Sequence, residues 1–172
     1  RIGVGPATAA RIAGSARRHD VGKLVVPIEI LTKPTRLDPE EMAVVRLHPT
    51  AGAQMLTHTG ADLLDVRVAL THHERWDGRG YPHGFRGDEI PLPARITAIA
   101  DVFDALCADR PYATRMPRAQ ALGLMTGEMR GAFDPDLLHE FIQMVNDPAV
   151  SAVSDEHGPS SDGRTLATTP AL

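Results

Sequence analysis

The stretch His72–Pro82, which reads HHERWDGRGYP, constrains the fold of this 172-residue chain more than any other segment. Two adjacent histidines end a helical pattern, and a Gly-x-Gly-Tyr-Pro turn follows shortly after them. Because glycine is conformationally permissive and proline lacks an amide hydrogen, this turn cannot continue a helix. Neighbouring helical residues point about 100° apart, so His72 and His73 can share a metal only at a helix end. The stretch indicates either a metal site or two exposed histidines at a helix terminus.

Other histidines and acids upstream occupy settings that favour chemistry. His19-Asp20 combines an imidazole with a carboxylate that can bridge two cations, and the ammonium of Lys23 suits a phosphate. A solvated turn is the alternative for this pair. His48 precedes Pro49, where a helix should stop, so its ring either points off the helix end or favours the helix dipole. Imidazoles and carboxylates together are ligands that divalent metals prefer.

Two further carboxylates lie on an otherwise apolar helical pattern. Asp101 and Asp104 are three residues apart and therefore share a helix face. A buried carboxylate is costly unless it is paired or bound to metal, which favours a ligand role for at least one of them. A salt bridge to Arg95 or Arg110 is the alternative. Arg110 itself follows this helix, where it can either fork onto a phosphate or cap the helix.

Composition narrows the class of protein. The net charge is −4 without a large basic patch, which argues against a DNA or RNA duplex as partner. The single cysteine, Cys107, excludes an internal disulfide and fits a reducing compartment. No apolar run reaches the roughly 18 residues of a membrane span, and no signal peptide is visible. We therefore expect a cytoplasmic domain without a membrane segment. The first residue is Arg1 rather than Met, which indicates a fragment.

Apolar periodicity predicts an all-α bundle, since no segment shows the alternation of a strand. Asp38-Pro39-Glu40-Glu41 reads as a capped helix start with a capping box. Asp134-Pro135 is a second such start. We predict helices over 39–47, 50–58, 61–74, 93–108, 117–130 and from 135 onward, with loops over 22–37 and 75–92. Residues 1–18 show little pattern, and residues 148–172 read as a disordered tail.

Taken together, these motifs resemble those of the HD-GYP family. The resemblance runs from about residue 19 to residue 146. It rests on the following segments: His19-Asp20-x-Gly22-Lys23, Pro27, Leu31-x-Lys33-Pro34, His48-Pro49-x-x-Gly52, the stretch from His72 to Pro82, Asp101-x-x-Asp104-Ala105-Leu106, Asp109-Arg110-Pro111-Tyr112 and Phe133-Asp134-Pro135.

The resemblance implies an HD-domain-like helical bundle over residues 19–147 with a long Gly/Pro-rich signature loop. It also implies a metal-dependent phosphodiesterase that hydrolyses the bacterial second messenger cyclic di-GMP to pGpG, GMP or both. Two or three divalent ions, iron or manganese, would be bound. By similarity, the metal ligands are His19, Asp20, His48, His72, His73 and Asp101. Asp20 would also bridge the metals, Lys23 would face the phosphate, and Tyr81, Pro82 and Arg110 would contact the substrate.

The sequence also departs from the family pattern. The family normally supplies another ligand from a helix before the His-Asp pair, but residues 1–18 contain neither His nor Glu. Arg17 and Arg18 stand where an apolar, buried segment is usual, so we expect residues 1–18 to match the family poorly and to pack poorly. Ala113 stands where a basic residue is common. The chain therefore resembles an HD-GYP domain that lacks its N-terminal helix.

Two alternatives follow from these departures. One is a truncated or degenerate module that binds a ligand, or a partner such as a diguanylate cyclase domain, without turnover. The other is a phosphohydrolase of a different nucleotide. A homodimer is compatible with either.

Overall fold

The protein is described here by a computed structural model, which covers residues 3–108 and 115–148. Throughout these residues the fold is all-α and no strand is present, as the periodicity predicts. Eight α-helices follow one another: α1 Pro6–Ala16, α2 Ile28–Leu31, α3 Pro39–Val45, α4 His48–His58, α5 Leu63–Thr71, α6 Leu92–Cys107, α7 Arg118–Thr126 and α8 Pro135–Val145. Short 3₁₀ turns occupy Val21–Val25, Gly87–Glu89 and Arg130–Ala132. The described part contains no helix that is both long and apolar enough to cross a bilayer.

Two apolar clusters hold the helices together. The larger lies between α6, α7 and α8 and consists of Ile99, Met125, Met129, Ala132, Phe133, Leu137 and Leu138. The smaller joins α2 and α3 through Val26, Leu31 and Val45. Helix α5 contacts α1, α4 and α6, and its residues Val68 and Ala69 are completely buried. Removal of such side chains from water is the main stabilising contribution in a fold of this size.

Both helix starts that the sequence predicts are confirmed. The carboxylate of Asp38 accepts from the amides of Glu40 and Glu41, and the side chain of Glu41 accepts in return from the amide of Asp38. Asp134 accepts from the amides of residues 136 and 137 at the start of α8. These contacts satisfy amide groups that have no partner within the helix.

Several predicted boundaries are wrong; the helix predicted over 117–130, for example, ends at Thr126. The helix that begins at Pro39 ends at Val45, and His48 is the first residue of α4 rather than the end of α3. Proline is favourable in the first turn of a helix, so Pro49 begins α4 where we expected it to end α3. The segment 22–37 also contains a 3₁₀ turn and the one-turn helix α2 rather than only loop.

The 3₁₀ turn Val21–Val25 lies directly against α4 because of a glycine. A Cβ atom added at Gly22 would stand 1.9 Å from the carbonyl oxygen of His48 and 2.5 Å from the amide nitrogen of Gly52. Only a residue without a side chain permits this approach of two backbones. The contact brings the His19-Asp20 pair next to the start of α4.

The N-terminal segment forms a helix that contacts α5 and α6. Ile12 and Ser15 are buried, and the Ser15 hydroxyl donates to the carboxylate of Asp65 on α5. Arg17 and Arg18 are both exposed, and Arg18 pairs with Asp65 at 2.8 Å. We expected residues 1–18 to pack poorly because burying two arginines is costly, but both follow the end of α1 and point outward, so α1 can pack on α5 and α6 without that cost. The division of the chain into residues 1–18, 19–147 and 148–172 stays a prediction, and 149–172 lie outside the described residues.

Candidate metal centre

Four parts of the fold bring histidine and aspartate side chains to one place. His19 and Asp20 come from the connection after α1, His48 from the start of α4, His72 and His73 from the end of α5, and Asp101 from the middle of α6. Their ligand atoms form two groups, in each of which all atoms lie within 4.8 Å of one another. One group is Asp20, His48, His72 and His73, and the other is His19, Asp20 and Asp101.

Asp20 belongs to both groups, and each of its carboxylate oxygens faces a different one. Its Oδ1 lies 3.3 Å from Nε2 of His48 and 3.7 Å from Nε2 of His72. Its Oδ2 lies 3.2 Å from Nε2 of His19 and 2.6 Å from Nζ of Lys23. A carboxylate in this position can serve two cations, one through each oxygen.

Three of the histidines are oriented by the same local contact. In His19, His48 and His72, Nδ1 contacts the backbone carbonyl oxygen three residues earlier, at 2.7 Å for His48 and 2.9 Å for His72. A carbonyl only accepts, so Nδ1 carries a proton, and whenever the ring is neutral its Nε2 presents a lone pair to the cluster. Backbone carbonyls commonly orient metal-binding histidines in this way.

The arrangement fits a divalent cation better than it fits an empty polar core. Nε2 of His48 and Nε2 of His72 lie 3.3 Å apart, so two lone pairs face each other unless a cation or proton lies between them. Nε2 of His19 and Oδ1 of Asp20 are buried without a hydrogen-bond partner among the described residues. Buried polar atoms without partners are costly, and a metal ion would satisfy both. Mixed imidazole and carboxylate donors suit iron, manganese and zinc.

Burial and neighbouring charges keep most of these groups in the form that binds metal. Burial lowers the pKa of His72 and lowers that of His73 well below its usual value, so both stay neutral. Burial alone would raise the pKa values of Asp20 and Asp101, but contacts with the histidines outweigh it and lower both. His19 differs: burial lowers its pKa, yet Asp101 and Asp20 outweigh burial and raise it to about 10.

The signature loop closes over the end of α5. The ring of Tyr81 stacks on that of His73, with centroids 4.8 Å apart and an interplanar angle of 19°. The peptide bond between Tyr81 and Pro82 is cis, and Pro82 is exposed. The Tyr81 hydroxyl is buried and has no partner in the described part, and burial raises its pKa. The hydroxyl therefore keeps its proton and is able to donate a hydrogen bond.

Glu74 holds this loop, and the sequence reading assigned it no role. Its buried carboxylate accepts from the backbone amides of His83 at 2.7 Å and Phe85 at 3.0 Å. A long Gly/Pro-rich loop needs acceptors for its buried amides, and an acid just before such a loop is a signal that could have identified this anchor.

The remaining candidates are placed as follows. Lys23 is buried beside Asp20. Asp104 is exposed and belongs to neither ligand group. Arg95 pairs with Asp88 and Asp134, so it does not form the salt bridge to Asp101 that was the alternative to metal binding. Arg110 and Ala113 lie outside the described residues.

Comparisons with known proteins agree with this architecture. A family model described as HD domain matches residues 3–137. A cyclic di-GMP phosphodiesterase of Thermotoga maritima is 36% identical over 145 residues, which cover 83% of this chain and 39% of the relative. The 3'3'-cGAMP-specific phosphodiesterase 2 of Vibrio cholerae is 39% identical over 143 residues, covering 82% of this chain and 27% of the relative. The chain thus spans well under half the length of these relatives.

A solved structure shares the fold. Bd1817, a HDG"Y"P protein from Bdellovibrio bacteriovorus, superimposes with a TM-score of 0.65 at 22% sequence identity, covering 81% of this chain and 45% of that chain. At this identity the similarity concerns the fold alone. The family model matches well over half of the chain, so the chain belongs to the HD domain family.

Proposed function

We propose that this chain is a metal-dependent phosphodiesterase domain that hydrolyses cyclic di-GMP to pGpG, GMP or both. The observation that carries the proposal is the position of Asp20, whose two oxygens face two separate sets of ligand atoms. Paired metal sites that share a ligand are common in enzymes that hydrolyse phosphoesters. The relatives named for cyclic di-GMP and 3'3'-cGAMP support a cyclic dinucleotide as the substrate class.

Each ligand group would hold one ion. Iron or manganese is the metal we expect, and divalent metals of this kind supply Lewis acidity and lower the pKa of a water molecule. The first site would use Asp20, His48, His72 and His73, and the second would use His19, Asp20 and Asp101. The second group offers three protein ligands among the described residues, which leaves room for substrate or water.

Side chains next to the cluster would orient the reaction. The ion pair between Lys23 and Asp20 keeps that carboxylate ionised and fixed, and the Lys23 ammonium adds positive charge beside the phosphodiester. The protonated Tyr81 hydroxyl can donate to a phosphate oxygen, with Pro82 at the rim of the same loop. Arg110 stays a predicted phosphate contact.

The test pairs metal content with turnover in one sample. Protein purified without oxygen is analysed for metal and incubated with cyclic di-GMP, and products are separated by chromatography. Asp101→Asn and Asp104→Asn form a matched pair, since both aspartates lie on α6 and only Asp101 faces His19. We expect Asp101→Asn to lose one ion per chain and at least about 100-fold in turnover, while Asp104→Asn keeps both. Two bound metals without any turnover would contradict the proposal and favour a module that only binds ligand.

A second substrate has one observation in its favour. The Vibrio cholerae relative named for 3'3'-cGAMP is as similar to this chain as the relative named for cyclic di-GMP. Values of kcat/KM for the two cyclic dinucleotides, measured side by side, decide which one the pocket prefers. A higher value for 3'3'-cGAMP would replace cyclic di-GMP in the proposal.

We further propose that the domain acts in the cytoplasm, which its single cysteine supports. A diguanylate cyclase domain is the partner that the chemistry favours, because such a domain produces the substrate. Co-purification of the full protein with a cyclase domain tests the partner, and light scattering of the purified chain tests the homodimer.

A further inference from the structure

Arg46 stands at the edge of the metal cluster, and neither the family motifs nor the proposed mechanism uses it. It is the residue that caps the C-terminus of α3, two positions before His48, and its side chain is exposed. Its guanidinium carbon lies 5.1 Å from the centroid of the Tyr81 ring. Since Tyr81 stacks in turn on His73, the same aromatic ring contacts both the Arg46 guanidinium and a candidate metal ligand.

Among the described residues, Arg46 forms no ion pair. Most arginines near this region are paired with a carboxylate, as in the pairs Arg18–Asp65, Arg75–Asp77 and Arg95–Asp134. Over residues 3–108 and 115–148, no carboxylate lies within 4.0 Å of the Arg46 guanidinium. The stacking contact with Tyr81 occupies only one face of the planar group. Its N–H donors at the edge stay available in a fork that matches a phosphate.

We propose that Arg46 binds the second phosphodiester of a cyclic dinucleotide while the metal cluster holds the first. This inference rests on the proposed function. A cyclic dinucleotide carries two phosphodiesters in one closed ring, so docking the first at the cluster fixes the second a short distance away. Lys23 already supplies a cation next to Asp20, whereas Arg46 contacts the Tyr81 ring at the edge of the cluster. That position suits the phosphate that is not being cleaved.

The position also explains why Tyr81 and Arg46 occur together. The phenol ring stacks on His73 of the cluster, and it also holds the arginine by a cation–π contact. The free Arg46 side chain is thus partly oriented before a ligand arrives, which lowers the entropy lost on binding. Arg46 would act on affinity, and so on KM, more than on the chemical step.

The experiment compares a substrate that has two phosphodiesters with one that has a single phosphodiester. Metal-loaded wild type, Arg46→Ala, Arg46→Gln and Arg46→Lys are assayed with cyclic di-GMP and with bis(p-nitrophenyl) phosphate, and binding of cyclic di-GMP is measured by calorimetry. Arg67→Ala is the matched control, because Arg67 is an exposed arginine on α5 that forms no ion pair with any residue that the structure describes. Metal content per chain is determined for every variant.

We expect Arg46→Ala and Arg46→Gln to weaken binding and raise KM for cyclic di-GMP roughly 10- to 100-fold, as for loss of a hydrogen bond to a charged group. The effect on the single phosphodiester should be at least about tenfold smaller. Arg46→Lys should recover part of the affinity, because it restores the charge without the fork. Arg67→Ala should match wild type.

Each other outcome has a definite meaning. Equal losses on both substrates would overturn the proposal, because Arg46 would then act on the cleaved phosphate or through Tyr81. Unchanged affinity in Arg46→Ala, with wild-type turnover intact, would also overturn it and leave the proposed function standing. If the wild type binds cyclic di-GMP without cleaving it and Arg46→Ala loses that binding, the Arg46 inference holds and the phosphodiesterase proposal fails. Wild-type protein that neither binds nor cleaves would refute both.

Discussion

Replacing Gly80 with alanine should damage the metal centre from a distance, and the structure gives the size of the effect. A Cβ atom at Gly80 would stand 2.4 Å from the amide nitrogen of Arg75, 2.5 Å from Cα of Glu74 and 2.6 Å from the carbonyl oxygen of His73. All three atoms belong to backbone, so no side chain can turn aside to make room. The amide of Tyr81, the next residue, also donates to the same carbonyl of His73 at 3.2 Å.

The displacement sets the expected magnitude. Ordinary contact begins near 3.4 Å, so the loop and the end of α5 must separate by about 1 Å. Overpacking of this kind costs typically 1–3 kcal/mol, and three rigid contacts favour the upper half, about 2–3 kcal/mol. For a domain of this size that corresponds to a fall in Tm of about 5–10 °C. A shift of about 1 Å at His73 should also lower turnover by roughly 100-fold.

Urea unfolding and metal analysis of the purified variant test this reasoning. Gly123→Ala is the control, because a Cβ at Gly123, in the middle of α7, meets nothing within 4 Å. The same chemical change should there raise stability by up to about 1 kcal/mol, since alanine is the better helix former. If Gly80→Ala unfolds at the wild-type urea concentration and keeps full metal content, the loop does not position His73 and the argument is refuted.

Two further predictions concern the anchor of the loop and the protonation of the site. Glu74→Gln leaves one acceptor oxygen for the two loop amides, so one buried amide loses its partner. Urea unfolding should therefore show that the free energy of unfolding falls by about 1–3 kcal/mol. An unchanged free energy of unfolding would contradict the anchoring role of Glu74. The pKa of His19 is raised from 6.5 to about 10 in the metal-free protein, so its added proton stabilises the fold below about pH 6.5, and that contribution is lost as pH rises through 10. A metal ion must displace this proton, so apparent affinity at the second site should rise by about tenfold per pH unit from about pH 7 to 9. Calorimetry with a competing chelator measures this slope, and a flat profile would show that His19 is not a ligand.

Much of the fold, and the clustering of the histidines and aspartates, could be predicted from the sequence because both depend on local chemistry. Asp38 and Asp134 precede prolines and cap helices by contacts within three residues. The histidines at the end of α5 are followed by a turn that cannot be helical, which fixes where their rings emerge. In such cases the residues that determine the local structure are close together in the chain, so the sequence pattern predicts that structure correctly.

The parts that could not be predicted depend on contacts between distant segments. Arg46 meets Tyr81 only after α3 and the signature loop have packed together. Gly22 lies against α4 and contacts His48, which is 26 positions later in the chain. The pattern of apolar residues gives no sign of this contact. Arg18 stands where other members of the family usually have an apolar, buried segment, which led us to expect poor packing; its pairing with Asp65 on α5 instead lets it stay at the surface. Such choices are set by tertiary packing rather than by propensity.

The contact of each imidazole with its own preceding turn has a consequence for how the centre can assemble. Because His19, His48 and His72 are each aimed by a carbonyl three residues back, every ring adopts its working direction as soon as its own helix end forms. An arriving ion then finds side chains that need no rotation, and the rotamer freedom of the donors is lost during folding rather than during loading. A variant that loses metal binding should therefore do so because its helices are displaced, and not because its imidazole rings have turned. The spacing between these backbone segments is thus the property on which metal binding depends.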